Sequence, residues 1–117
     1  MADEHLSWSV CRGADGSTVV VLMGELDSPY VAAVTELLKS ALAQGSPVTV
    51  DLGLLTFLDS AGLRSLLRAA QDAAALGSRM IVTNATGMVR RVIAIAASER
   101  ELLGEPGTEE VGRPVAS

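Results

Sequence analysis

Leu6, Trp8 and Val10 alternate with Ser7, Ser9 and Cys11, which is the two-residue period of a strand with one buried face. Gly13-Ala14-Asp15-Gly16 supplies turn chemistry, and Thr18 to Met23 reads as a second, apolar strand. A loop this short makes the two strands antiparallel partners in a hairpin. Gly24-Glu25-Leu26-Asp27-Ser28-Pro29 then closes the strand and opens a helix. Asp27 or Ser28 is expected as its N-cap, and Pro29 suits the first helical position, where no donor is missed. The helix is expected to run to about Ala43, burying a stripe of Val31, Val34, Leu37, Leu38 and Leu42, until Gln44-Gly45-Ser46-Pro47 stops it.

Val48 to Leu52 is rich in β-branched residues and predicts a third strand. Because a helix separates it from the second, the two are expected to be parallel and joined by a right-handed crossover. Leu63, Leu66, Leu67 and Ala70 recur at helical spacing, so a second helix is expected from the Ser60 corner to about Leu76, ended by Gly77. Arg79 to Thr83 gives a fourth strand, and Asn84, Ala85 and Thr86 lead into a last helix through Val89, Val92, Ile93 and Ala96, with Arg90 and Arg91 on its polar side. This order predicts an α/β fold: a small mixed sheet with an antiparallel N-terminal hairpin followed by parallel strands, and helices mainly on one face. Trp8, Met23, Met80 and Met88 are expected in the core, and Cys11 as a packing residue. From Ser98 to Ser117 the chain holds five Glu, two Arg, three Gly and two Pro. The folded domain is therefore expected to span residues 1–103 and a solvated acidic tail residues 104–117.

Composition narrows the function classes. At 117 residues a single domain forms, large enough to remove about two thirds of its unfolded surface from water. A hydrophobic content of 49% with 20% charged residues argues for a packed body rather than a disordered chain. With one Trp, one Tyr and one Phe, no base-stacking platform can be built, and a net charge of −5 repels a phosphate backbone, so no nucleic-acid partner is expected. The apolar runs are too short to span a bilayer and no signal-like leader precedes Leu6, so neither membrane insertion nor secretion is indicated and a cytoplasmic location is the default. The single Cys11 makes no intrachain disulfide, and no Cys/His cluster has metal-ligand spacing. No metal and no cofactor are expected.

Candidate chemistry concentrates in Leu58-Asp59-Ser60-Ala61-Gly62-Leu63, where an apolar strand gives way to an amphipathic helix. A serine on such a corner is how α/β-hydrolases present a nucleophile, but that elbow needs glycine two residues earlier, where Leu58 stands, and a histidine base, and the only histidine is His5. No phosphate-binding Gly-x-x-x-x-Gly-Lys loop occurs either. No enzyme is expected. Two readings of Ser60 stay open: a helix cap worth roughly 1 kcal/mol, or an acceptor for an anionic modification, which a helix N-terminus tolerates. They are compatible, because Asp59 can cap while Ser60 points outward. Asp27 and Asp59 end or follow parallel strands at the same sheet edge, and are either acids favoured by helix N-termini or interface residues. Arg64 and Arg68, one turn apart, form a solvated face or meet an acidic partner.

Asp59-Ser60-Ala61-Gly62-Leu63, with Gly24-Glu25-Leu26-Asp27 upstream, resembles the STAS domain of bacterial anti-sigma factor antagonists (anti-anti-sigma factors), over roughly Leu6 to Ala97. Ala61 stands where many such antagonists carry a second serine or a threonine, leaving Ser60 as the only hydroxyl of the motif. The resemblance implies transcription regulation by partner switching. The unmodified antagonist binds an anti-sigma factor that is also a serine kinase, a sigma factor is freed, phosphorylation of Ser60 ends the interaction, and a serine phosphatase resets it. Asp27, Asp59, Ser60, Ala61, Gly62, Glu25 and Arg64 are the partner-binding residues it implies. The alternative it leaves is a STAS interaction module of another assembly, a signalling scaffold or a lipid or anion transport complex, without a phospho-switch.

Overall fold

The computed structural model describes residues 5–95; the expected tail and its boundary at residues 103 and 104 lie outside them. Two antiparallel strands open the fold, β1 (Leu6–Arg12) and β2 (Thr18–Leu26), in register from Leu6 opposite Gly24 to Arg12 opposite Thr18. In the turn between them the Asp15 carboxylate accepts hydrogen bonds from the Ser17 backbone N–H (3.0 Å) and hydroxyl (2.7 Å). These donors hold the Asp15 carboxyl below its ordinary range. One 3₁₀ turn (Ser28–Tyr30) leads into α1 (Val31–Leu42), followed by β3 (Val48–Leu58), α2 (Ser60–Ala75), β4 (Met80–Thr83) and α3 (Gly87–Ile95). The sheet order is β1-β2-β3-β4, with the first pair antiparallel and the others parallel, as expected of two successive crossovers. No helix of the described residues is long and apolar enough to cross a membrane.

Thr18, Val48 and Met80 stand side by side, so the three parallel strands begin level. They do not end level. β4 stops at Thr83 opposite Asp51, while β2 and β3 continue to the pair Leu26 and Leu58. Expected to end at Leu52, β3 instead runs six residues further, because irregularities between Val21 and Met23 and between Gly24 and Glu25 let it absorb extra residues against β2. Gly53 falls in the first of these, and its N–H is satisfied by the Asp51 carboxylate at 2.8 Å. Along the extension the buried side chains are Leu52, Leu55 and Leu58, a spacing of three that an alternating strand pattern does not show.

The three α-helices of the described residues contribute to one core: Val34, Leu38 and Leu42 from α1, Leu63, Leu66 and Ala69 from α2, and Val89 and Ile93 from α3 pack with Val20, Leu22, Val50 and Val82 of the sheet. Each such side chain contributes roughly 1.5–3 kcal/mol by leaving water. At the β1 margin the expectation of a buried face fails. Only Leu6 is buried, while Trp8 and Val10 are 39% and 52% exposed although they lie opposite the fully buried Leu22 and Val20. They point to the helix side, but β1 is the sheet edge and α1 stops short of it, leaving an open groove between Val10 and the α1 residues Leu37 and Ala41. Cys11 is likewise exposed rather than packed. Of the methionines, Met80 is buried as expected, Met23 is half-buried and Met88 is exposed.

The facing valines provide a matched test. Val20→Ala is expected to cost about 1.5–3 kcal/mol and Val10→Ala less than about 1 kcal/mol, read from urea unfolding midpoints. Equal losses would mean that the β1 margin is covered in solution.

Candidate functional site

Because Leu26 and Leu58 are paired in register, the residues that follow them, Asp27 and Asp59, emerge side by side where parallel strands deliver their C-terminal ends. Asp59 has an extended backbone (φ −98°, ψ 179°) and is the N-cap of α2. One carboxylate oxygen accepts from the Gly62 N–H at 2.8 Å; the other accepts from the Ser28 N–H at 3.2 Å. The Asp59 N–H donates to the Leu26 carbonyl at 3.3 Å. A single side chain thus satisfies an orphan donor of the helix and fixes the loop leaving β2.

This division of labour identifies which residue of the corner caps α2. Asp59 caps, and Ser60, the first residue of α2, is exposed, its hydroxyl without a hydrogen-bond partner among the described residues. At the positive end of a helix, an anion on its hydroxyl would meet a favourable field. Behind it Gly62 is buried; a Cβ there would stand 2.8 Å from the Leu26 carbonyl oxygen and 3.0 Å from Leu58 Cδ1. Any side chain would push the start of α2 off the strand ends, at a cost of about 1–3 kcal/mol. Ala61 is half-buried beside Ser60. Arg64 and Arg68 are exposed and, with Val31 and Thr35 of α1, line a shallow groove of about 490 Å³ between the two helices that begins at Ala61.

Asp27 does not cap with its side chain, contrary to expectation, and neither does Ser28. Asp27 only precedes the 3₁₀ turn, and α1 itself starts after Tyr30 without a side-chain cap. The reason is a residue the sequence kept apart from the corner: His5 Nε2 lies 3.2 and 3.3 Å from the two Asp27 carboxylate oxygens. His5 is in turn held by its own backbone. Its carbonyl accepts from the Glu25 N–H at 2.8 Å, its N–H donates to the Tyr30 hydroxyl at 3.1 Å, and the two rings meet edge-on with centroids 4.9 Å apart. Gly24 makes this approach feasible: at φ +103°, a side chain there would run into the His5 carbonyl. Glu25 is exposed at the same rim. The one histidine of the chain is thus engaged with Asp27. A β-hairpin register was the only signal that could have placed His5 here, since it sits one residue before Leu6, the partner of Gly24.

A family model described as "Mlab, STAS domain" matches residues 10–104. No curated protein sequence matches the chain. Among solved structures, an anti-sigma factor antagonist from Mycobacterium paratuberculosis is 24% identical, with a TM-score of 0.72 over 83% of this chain and 82% of that one. The phosphorylated form of the Bacillus cell fate determinant SpoIIAA is 22% identical, with a TM-score of 0.65 over 92% and 98% of the two chains. Unphosphorylated SpoIIAA, an anti-sigma factor antagonist, is 24% identical, with a TM-score of 0.62 over 76% and 83%. At these identities the likeness is one of fold.

Removal of the Asp59 side chain tests the geometry of the corner. Asp59→Ala is expected to cost about 1–2 kcal/mol in chemical unfolding, and Ser60→Ala less than about 0.5 kcal/mol. The reverse ranking would make Ser60 the cap.

Proposed function

The chain belongs to the STAS domain family, and from that premise we propose that it is an anti-sigma factor antagonist switched by phosphorylation of Ser60. Unmodified, it binds an anti-sigma factor that is also a serine kinase and so releases a sigma factor in the cytoplasm. Phosphorylated, it lets go, and a serine phosphatase restores it. The protein is ligand and substrate in this cycle; ATP and the base belong to the kinase. The observation that carries the reading is the exposed, unpartnered Ser60 hydroxyl beside an Asp59 that already caps the helix. Likeness of fold to anti-sigma factor antagonists supports it.

The partner-facing surface we assign is the rim around that hydroxyl: Glu25 and Asp27 after β2, Asp59, Ser60 and Ala61 at the corner, and Arg64 one turn along α2, with Gly62 behind them setting the height of the helix. Phosphate adds about −1.5 to −2 charges and three acceptor oxygens at this rim. An unpaired charge in a formed interface costs about 2–5 kcal/mol, and every 1.4 kcal/mol is tenfold in affinity. The lower limit alone releases a partner, with no change of fold.

Ser60→Asp is accordingly expected to keep the far-ultraviolet spectrum and lose more than about tenfold in affinity for the kinase partner in calorimetry, while Ser60→Ala binds normally and is not released by ATP. Mass spectrometry after incubation with kinase and ATP should find one phosphate, on Ser60. A phosphomimic that binds like the unmodified protein, or stable association with a scaffold or transport complex and no phosphate on Ser60, would refute the switch and favour a STAS module of another assembly.

A further inference from the structure

Twenty residues of sequence separate His5 from Glu25, yet the hairpin brings the His5 imidazole and the carboxylates of Glu25 and Asp27 together, with one ligating atom of each within 4.8 Å of the others. One imidazole nitrogen with two carboxylate oxygens is a donor set suited to borderline divalent cations. Ligand atoms around Zn²⁺ stand about 2.0–2.2 Å from the ion, so tetrahedral neighbours are about 3.3–3.6 Å apart. The His5–Asp27 separation of 3.2 Å is already near that value, and Glu25, being exposed, closes the remaining distance by turning its side chain.

The imidazole is held in place for this. Its backbone is fixed at both ends, by the Glu25 N–H and the Tyr30 hydroxyl, and its ring rests edge-on against Tyr30. The segment that fixes His5 is therefore the same one that supplies the other two donors. His5 is exposed, leaving remaining coordination positions open to water, as an ion with three protein ligands requires.

We propose that His5, Glu25 and Asp27 form a binding site for a divalent transition cation, with Zn²⁺ as the best match. The cation takes the place of the direct His5–Asp27 contact and draws in Glu25. Binding would neutralise two carboxylates at the rim next to Asp59, since the residue after Asp27 donates its N–H to Asp59. The site stands independently of any modification of Ser60.

The test is calorimetric titration of the full, untagged chain with zinc chloride, and in parallel with magnesium chloride. The expected result is one micromolar Zn²⁺ site, with Mg²⁺ at least about tenfold weaker because it favours all-oxygen ligands. His5→Ala and Asp27→Asn should each weaken Zn²⁺ at least about tenfold, and thermal stabilisation by Zn²⁺ should disappear with the site. Glu25→Gln, at an exposed side chain, should weaken it several-fold and keeps the test decisive if His5→Ala disturbs the hairpin. Absence of a Zn²⁺ site, Mg²⁺ binding of equal strength, or affinity indifferent to Glu25→Gln would overturn the proposal.

Discussion

The corner depends on the two oxygens of Asp59. One holds the first turn of α2 through the Gly62 N–H and the other holds the loop after β2 through the Ser28 N–H. Two chain segments that leave neighbouring parallel strands are thereby tied to one side chain, just where Leu26 and Leu58 end their pairing. A helix capped by a carboxylate needs no hydroxyl as a second cap, and so Ser60 can face solvent without loss to the fold. Gly62 completes the arrangement from below, because only a residue without a side chain lets α2 begin this close to the Leu26 carbonyl.

A second clamp lies beside the first. The His5 carbonyl and N–H are both taken by the segment from Gly24 to Tyr30, and the imidazole occupies the Asp27 carboxylate. The Gly-Glu-Leu-Asp stretch thus secures the residue before β1 as well as ending β2. This explains why Leu6 is buried while the rest of β1 is not: its beginning is fastened over the strand ends, and beyond that point α1 leaves the edge open at Trp8 and Val10.

Element types and order were legible in the sequence, because apolar periodicities such as Val34, Leu38 and Leu42 or Leu63, Leu66, Leu67 and Ala70 favour helices, and turn residues bound them. The length of β3 was not legible. Its second half buries every third residue across bulges, and only pairing with β2 makes it a strand. Burial of Trp8 and Val10 was misjudged for a related reason, since alternation reports which face a side chain takes but not whether anything covers it. Around the corner, Asp59 and Ser60 are both good N-caps, so their separate roles needed coordinates. The meeting of His5 with Glu25 and Asp27 is a product of hairpin register, and no local spacing announces it.

The proposed switch works by charge at a fixed surface, which sets it apart from mechanisms that remodel the fold. Its most direct test is an amide chemical-shift comparison of the unmodified protein with protein carrying genetically encoded phosphoserine at position 60. Shifts confined to the rim, residues 25–30 and 59–64, with the amides of β2, β3 and β4 below it unchanged, are the predicted outcome. Changes spread through the sheet, or loss of dispersion, would contradict it.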